Sequence, residues 1–419
     1  MEHRPTSQPD NHSMNPASNP ATGHAIDCAT DPQRRSFLAG VAAMAGAAGV
    51  SGSAGLATSA RASFGDGSPA PRAASNSHAF RLSTLAPQLM TPSGSRTHVT
   101  AREFPALRGM SFYKLAIERG SFREPHWHSN ADELGYCTAG EVLITMFSSG
   151  NTHDVFRVKA GEMYLVPSGA FHAIENIGDV RAEIMAAFSH EEPEDFGLSG
   201  AVGCMSREVM GNTWDLDVAS LANLARSTTD LVFGKTDGRA EVPSVAEAPN
   251  KWKFAVEASQ PPIVNDYGSV RVARLDTWPH LRSLSMYSLR VEGIGMREPH
   301  WHPETAEMGY VLQGRSRMTV KSPASGARSV DTYELGPGDL YFIPKAYPHV
   351  IENLGSDELR FLIFFDRPMP EDIGYTGGIP AFPRRLVAPS LATSTEALPR
   401  YPERTTDAMI VRKRNPMGG

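Results

Sequence analysis

The sequence predicts an all-β protein made of two tandem copies of one sandwich or barrel, each ending in a small helical appendage. Two observations carry this. First, Pro105, Leu107, Arg108, Ser111, Tyr113 and Leu115 recur as Pro279, Leu281, Arg282, Ser285, Tyr287 and Leu289, at a constant offset of 174 residues. Second, the segments within each copy are short, β-rich and punctuated by Gly and Pro, as in Ser111 to Ile117, Glu141 to Phe147, Met163 to Val166 and Ala182 to Ala187. Strands at this spacing must pack sheet on sheet to bury their apolar faces.

The repeat extends through the chain. It sharpens at Arg123-Glu124-Pro125-His126-Trp127-His128 and Arg297-Glu298-Pro299-His300-Trp301-His302, and runs on to Gly140 and Gly314. The offset then becomes 177, carrying His172 to His349, Asn176 to Asn353 and Pro193-Glu194-Asp195 to Pro370-Glu371-Asp372. Three residues are therefore added in a hairpin of the second copy, around Ser322 to Arg328. Gly234 to Asn250 has little periodicity and reads as a linker. The domains read as 1–62, 63–248 and 249–419. Asp217 is placed to cap a helical stretch through Leu221 and Leu224.

Residues 1–62 read as an address. Arg34-Arg35 is followed by Ser36-Phe37-Leu38, then by an uncharged run from Phe37 to Ala60, and Ala60-Arg61-Ala62 offers a cleavage site. The run is about long enough to span a bilayer, but its Ala, Gly and Ser content favours a removable signal over an anchor. This resembles a twin-arginine signal, which implies export of an already folded chain to the periplasm or beyond, with no stable membrane association after cleavage.

Composition limits the partners. With 40 basic and 46 acidic residues the net charge is −6, so there is no global basic field for nucleic acid or anionic lipid. A small molecule is the expected ligand; a homo-oligomer is left open. Only 3 cysteines are present, too few for a disulfide framework or a Cys-rich zinc module.

The chemistry lies in a histidine constellation. His126 and His128 stand two apart in an extended segment, so both rings share one face of a strand and Trp127 takes the other. Glu133 has the wrong parity for the same strand, but Ser129-Asn130-Ala131-Asp132 is turn material that returns it toward the same centre. His172 follows a strand that ends in Pro167-Ser168-Gly169. The second copy repeats the set as His300, His302, Glu307 and His349, with Ala346 at the place of Gly169. Of the 14 histidines, 11 lie beyond residue 62, and six of these fall on the repeated positions. Three imidazoles and one carboxylate suit a divalent first-row metal with open positions, and by residue type Mn, Fe, Ni, Cu and Zn all remain open.

Both halves resemble cupin domains, and the tandem arrangement resembles the bicupins of the oxalate decarboxylase family. The resemblance covers about Phe80 to Leu398. It implies a jelly-roll barrel of six to eight strands in each half, closed around one manganese, hence two per chain, with dioxygen as helper or co-substrate. It implies a small dicarboxylate, oxalate, as substrate, split to formate and carbon dioxide. Arg123 and Arg297 then hold the substrate carboxylate, a kink at Pro125 and Pro299 turning each inward. The lid Ser-Glu-Asn-Ser that bears the family's proton donor is missing, and Ile363 stands where a second-domain glutamate is expected. Glu194 and Glu371 are the nearest candidate donors. An oxalate oxidase or other metal-dependent dioxygenase, and a non-catalytic periplasmic metal-holding protein, stay open beside the decarboxylase.

Overall fold

The computed structural model describes residues 78–238, 241–402 and 406–415. The signal segment and its cleavage site lie outside the described residues. The two sequence copies belong to one compact unit spanning Gly65–Gly419.

Each half is a double-layered β-structure made of one seven-stranded and one six-stranded sheet. In the first half the six-stranded sheet carries Ser121–Trp127 beside Phe171–Asn176, then Glu141–Ser148 and Thr152–Lys159. The facing sheet centres on Glu133–Ala139, flanked by Met163–Val166 and Ala182–Phe188. The second half repeats this with Gly295–Trp301, His349–Asn353, Ser316–Lys321 and Val330–Leu335 against Glu307–Gln313, Leu340–Ile343 and Leu359–Phe365. All ladders among the described residues are antiparallel, as successive hairpins require. The predicted all-β tandem architecture is thus present, with one correction. The sheets are open rather than closed barrels, because edge strands such as Thr152–Lys159 pair on one side only, the double-sheet form of a jelly roll.

The halves exchange strands. Ala79–Phe80, at the start of the chain's described part, pairs with Leu340 and Tyr341 of the second half. Lys253–Phe254, just past the linker, pairs with Met163 and Tyr164 of the first. A boundary drawn at 248 is therefore crossed in both directions. Between the halves the core is continuous: the Phe112 ring stacks on Tyr310 at 5.2 Å and meets Phe364 edge-on at 6.2 Å. Burial on this scale, not the short linker, holds the two copies together.

The expected appendages follow the last strand of each half, as Leu198–Gly203 with Arg207–Trp214, and Tyr375–Gly378 with Arg384–Ser390. Asp217 does cap, accepting from the Ala219 amide at 2.9 Å, but what it caps is a single 3₁₀ turn, Val218–Leu221, and Leu224 lies beyond it. The reading of Gly234 as linker is also corrected. Phe233–Lys235 forms a strand on Ser121 to Arg123, covering that end of the strand's edge, while Phe196–Gly197 covers the His126 end.

Candidate metal centres

The first-histidine strand departs from regular pleating where the chemistry needs it. His126 pairs with His172 while Arg123 pairs with Ile174, so three residues on one strand span two on its neighbour. This bulge at Glu124-Pro125 gives Arg123 and His126 the same inward face, despite their odd spacing. The second half has the same shift, with His300 opposite His349 and Arg297 opposite Ile351. The expected inward turn of both arginines is present. Arg123 is 2% and Arg297 3% exposed.

His126, His128, Glu133 and His172 converge, their ligand atoms all within 4.8 Å of one another, and His300, His302, Glu307 and His349 do the same. All eight are buried. Each imidazole is oriented through Nδ1. In the first half His126 Nδ1 donates to the Glu124 carbonyl at 2.7 Å, His128 Nδ1 to that of Glu194 at 3.0 Å, and His172 Nδ1 to that of Ala170 at 3.0 Å. In the second half the acceptors are the carbonyls of Glu298, Glu371 and Tyr347, at 2.7, 2.9 and 2.9 Å. With Nδ1–H so committed, neutral rings turn their Nε2 lone pairs inward.

Those lone pairs meet a carboxylate. Glu133 Oε2 lies 3.1 Å from His128 Nε2 and 3.3 Å from His172 Nε2; Glu307 Oε2 lies 2.7 and 3.3 Å from the Nε2 atoms of His302 and His349. The Nε2 atoms of His172 and His349 are buried and have no hydrogen-bond partner. Lone pairs facing a carboxylate oxygen repel unless a positive charge sits between them, a proton or a metal cation. The donor set therefore fits a divalent ion bound by three nitrogens and one oxygen.

The titration of the residues agrees. Burial, reinforced by Arg123 and neighbouring imidazoles, drives His126 well below the ordinary 6.5, and burial with Arg297 does the same to His300. Burial would raise Glu133, but the His128 and His172 imidazoles beside it overcome it and hold the carboxylate ionised. His302 runs the other way, since the Glu307 bond outweighs burial and raises it. Below about pH 6.5 the unfolded chain protonates His126 and His300 while the folded chain does not, so stability falls as pH falls. His302 opposes this with one group against two. We expect the metal-free protein to lose melting temperature steadily from about pH 6.5 to about pH 4.5; a melting temperature that rises over that interval contradicts the neutral assignment.

Residues that sequence reasoning passed over complete the centres. Tyr164 and Tyr341, both fully buried, donate their hydroxyls to Oε1 of Glu133 and Glu307. Their rings press on Gly135 and Gly309, where a Cβ would stand 2.2 and 2.1 Å from the Cε1 atoms of Tyr164 and Tyr341. Gly135→Ala must therefore displace Tyr164 from Glu133. A loss of this outer hydrogen bond is expected to weaken metal affinity about 10–100-fold at the first centre, measured by chelator competition, with the second centre unchanged. Glu124 and Glu298, buried beside the arginines, do not pair with them. They accept from the Ser199 and Val232 amides, and from the Thr376 and Met409 amides, so tying down the segments that close each site.

The candidate proton donors are not brought to the centres. The Glu194 and Glu371 residues are exposed, and what they offer inward is a backbone carbonyl to His128 and His302. The neighbouring aspartates turn inward instead. Arg123 Nη2 donates to both carboxylate oxygens of Asp195 at 2.6 Å, and Arg297 Nη2 donates to Asp372. Burial would raise Asp195, but Arg123, His128 and Arg96 outweigh it and keep it ionised. In a Pro-Glu-Asp turn, with extended backbone, adjacent side chains point to opposite sides, so only one of the pair faces in. The repeat was the available signal: Tyr164 and Tyr341, Asp195 and Asp372, and Gly135 and Gly309 all recur at the two offsets.

Two facing sheets enclosing a buried three-histidine, one-glutamate set, twice in one chain, define a double-domain metal-holding jelly roll. Residues 80–220 and 255–397 each match the family model described as Cupin, and the chain belongs to that family. Among curated proteins it is 27% identical over 301 residues to oxalate decarboxylase OxdC of Bacillus subtilis, spanning 70% of this chain and 77% of that one. It is 22% identical over 319 residues to an oxalate decarboxylase of Arthroderma benhamiae, spanning 69% and 74%. A match to oxalate oxidase 2 of Hordeum vulgare, 32% identical, extends over 109 residues, 25% of this chain and 49% of that one. The solved structure of B. subtilis oxalate decarboxylase at pH 4.6 superposes with a TM-score of 0.72 at 23% identity, covering 82% of this chain and 89% of that one. A structure of the same enzyme concerned with its Mn(II) centres superposes equally, with a TM-score of 0.72, 23% identity and 83% and 92% coverage.

Proposed function

We propose that this protein is a manganese-dependent oxalate decarboxylase that converts oxalate to formate and carbon dioxide. The observation that carries the reading is the buried arginine on the same inward strand face as the first histidine, present beside each of the two metal-ligand sets. A guanidinium next to a metal centre is the arrangement a small dianion needs, one carboxylate for each. The likeness to oxalate decarboxylases over both halves supports the same substrate, and the Mn(II) centres of the structural relative support the metal.

Manganese held by the two sets would supply a Lewis acid and one-electron chemistry, with dioxygen as the proposed helper. The chain's own residues do the rest. Arg123 and Arg297 bind and orient a carboxylate, Tyr164 and Tyr341 fix the ligating glutamates, and Phe188 and Phe365 pack on the His128 and His302 rings at 4.8 and 4.9 Å, keeping water from that side. An acid must protonate the carbon left by carbon dioxide. The exposed positions of Glu194 and Glu371 favour neither in that role, and this keeps the oxidase reading as the second one.

The test is an oxalate assay on manganese-loaded protein that reports formate and hydrogen peroxide together. Formate as the main product is expected. Peroxide in its place assigns an oxidase, and retained metal without turnover assigns a metal store. Glu194→Gln and Glu371→Gln are expected to leave the formate-to-peroxide ratio unchanged; a shift toward peroxide in either would return that carboxyl to the chemistry.

We also propose that Arg34-Arg35 directs export of the folded, metal-loaded chain and that cleavage follows Ala62. Replacing both arginines by lysine should hold the protein in the cytoplasm; export of that variant would overturn this.

A further inference from the structure

The two arginines assigned to the substrate are already engaged by carboxylates of this chain. We propose that Asp195 and Asp372 are carboxylate latches that a substrate must displace, making them specificity-determining residues, and that the second half's latch is the one that opens more readily. The proposal rests on the role given above to Arg123 and Arg297.

Displacement replaces one carboxylate by another at a buried guanidinium, so the exchange at the arginine is nearly balanced. A monoanion gains little from it. A dianion offers a second carboxylate to the metal centre, and only that second contact makes the exchange favourable. The latch therefore discriminates against formate and acetate and in favour of oxalate. It also favours release of a monocarboxylate product, because the aspartate recaptures the arginine.

The halves differ in how firmly the latch is held. Asp195 is gripped from a second side by Arg96, at 2.7 Å, and the turn that carries it is pinned. The Glu194 amide donates to Asn130 Oδ1 at 2.9 Å, the Asn130 side-chain amide donates to the Glu192 carbonyl at 3.0 Å, and the Ser129 hydroxyl donates to Glu194. At the positions equivalent to Arg96, Ser129 and Asn130 the second half has Val270, Pro303 and Glu304, and Glu304 is exposed and paired with Lys345. Val270 occupies the ladder place of Arg96, opposite Leu289 where Arg96 lies opposite Leu115. An apolar side chain cannot clamp a carboxylate, and proline has no hydroxyl to lend. Asp372 keeps Arg297 as its one arginine, and its Oδ1 lies 3.9 Å from His300 Nε2 and 3.8 Å from His302 Nδ1, beside the centre.

The experiment titrates manganese-loaded protein with oxalate, formate and acetate by calorimetry, in wild type and in Asp195→Asn, Asp372→Asn and Arg96→Gln. To read the halves separately, His302→Ala leaves the first centre alone and His128→Ala the second. Asparagine keeps the shape and an acceptor for the arginine, so manganese content should stay near wild type, while the melting temperature falls because the buried guanidinium loses its counter-charge. Formate and acetate should bind at least about tenfold more tightly in the Asn variants, oxalate much less so, narrowing the selectivity. Oxalate should bind the second centre at least about tenfold more tightly than the first, and Arg96→Gln should shrink that gap. Monoanion affinity unchanged by Asp→Asn overturns the latch. Equal or reversed affinity of the two centres overturns the asymmetry. Loss of formate production in an Asp→Asn variant with monoanion binding unchanged makes the aspartate a proton donor and not a latch. Formate yield in wild type tests the functional reading separately, since the binding ratios are read without turnover.

Discussion

Wild-type protein should hold one manganese in each of the two clusters, His128→Ala and His302→Ala should each lose about one of them, and the double variant should retain almost none. The size of the effect follows from geometry. Each of these histidines supplies an Nε2 that faces the cluster's carboxylate, so alanine removes a ligand and leaves Glu133 or Glu307 buried with fewer partners. A three-ligand remnant that is also electrostatically unbalanced cannot compete with water and buffer. Because the ion binds the folded chain only, its loss also lowers the melting temperature, in steps that follow the metal content. Elemental analysis with thermal melts checks this. One ion in wild type, or two in the double variant, contradicts the assignment.

Arg123→Gln and Arg297→Gln should each lower kcat/KM for oxalate at their own centre by roughly ten- to a hundred-fold, the loss of a charge-assisted contact of about 1.5–3 kcal/mol. Arginine to lysine should not restore it, because an ammonium lacks the planar fork that holds a carboxylate at two nitrogens. The structure adds a condition. Removing Arg123 leaves Asp195 with Arg96 alone, and removing Arg297 leaves Asp372 with no arginine, so part of any loss is structural, since breaking one partner of a buried pair costs about 3–5 kcal/mol. Pairing Arg123→Gln with Asp195→Asn removes both charges and should recover the melting temperature without recovering turnover. Recovery of both would mean that the arginine is only scaffolding.

The repeat made much of this legible in advance. Six histidines and two glutamates recurring at fixed offsets identify themselves as ligands, because a buried polar residue kept twice in one chain needs a partner kept twice. Strand parity alone placed His126 and His128 on one face and Trp127 on the other, where it now stacks on Phe196 at 5.5 Å. The inward arginines were reachable only through the proline beside them, and what turns them is a bulge, a feature of pairing between strands that no single strand reveals. Strand parity does not say which of Glu194 and Asp195 faces inward, because the direction of a turn side chain depends on what pins the turn. Here the pins are Ser129 and Asn130, some sixty residues away.

What the sequence determined by itself was the local and the repeated: all-β character from strand periodicity, two halves from self-similarity, and the ligand set from residue type and spacing. Tertiary structure decided what depends on distant segments meeting. It decided that the sheets stay open, that Ala79–Phe80 and Lys253–Phe254 are lent across to the opposite half, and that Tyr164 reaches Glu133 over a glycine. It also decided that the arginines meet an aspartate before any substrate. Each of these turns on pairing energies and excluded volume between residues far apart in the chain, and local propensity carries no record of which partner a side chain will find.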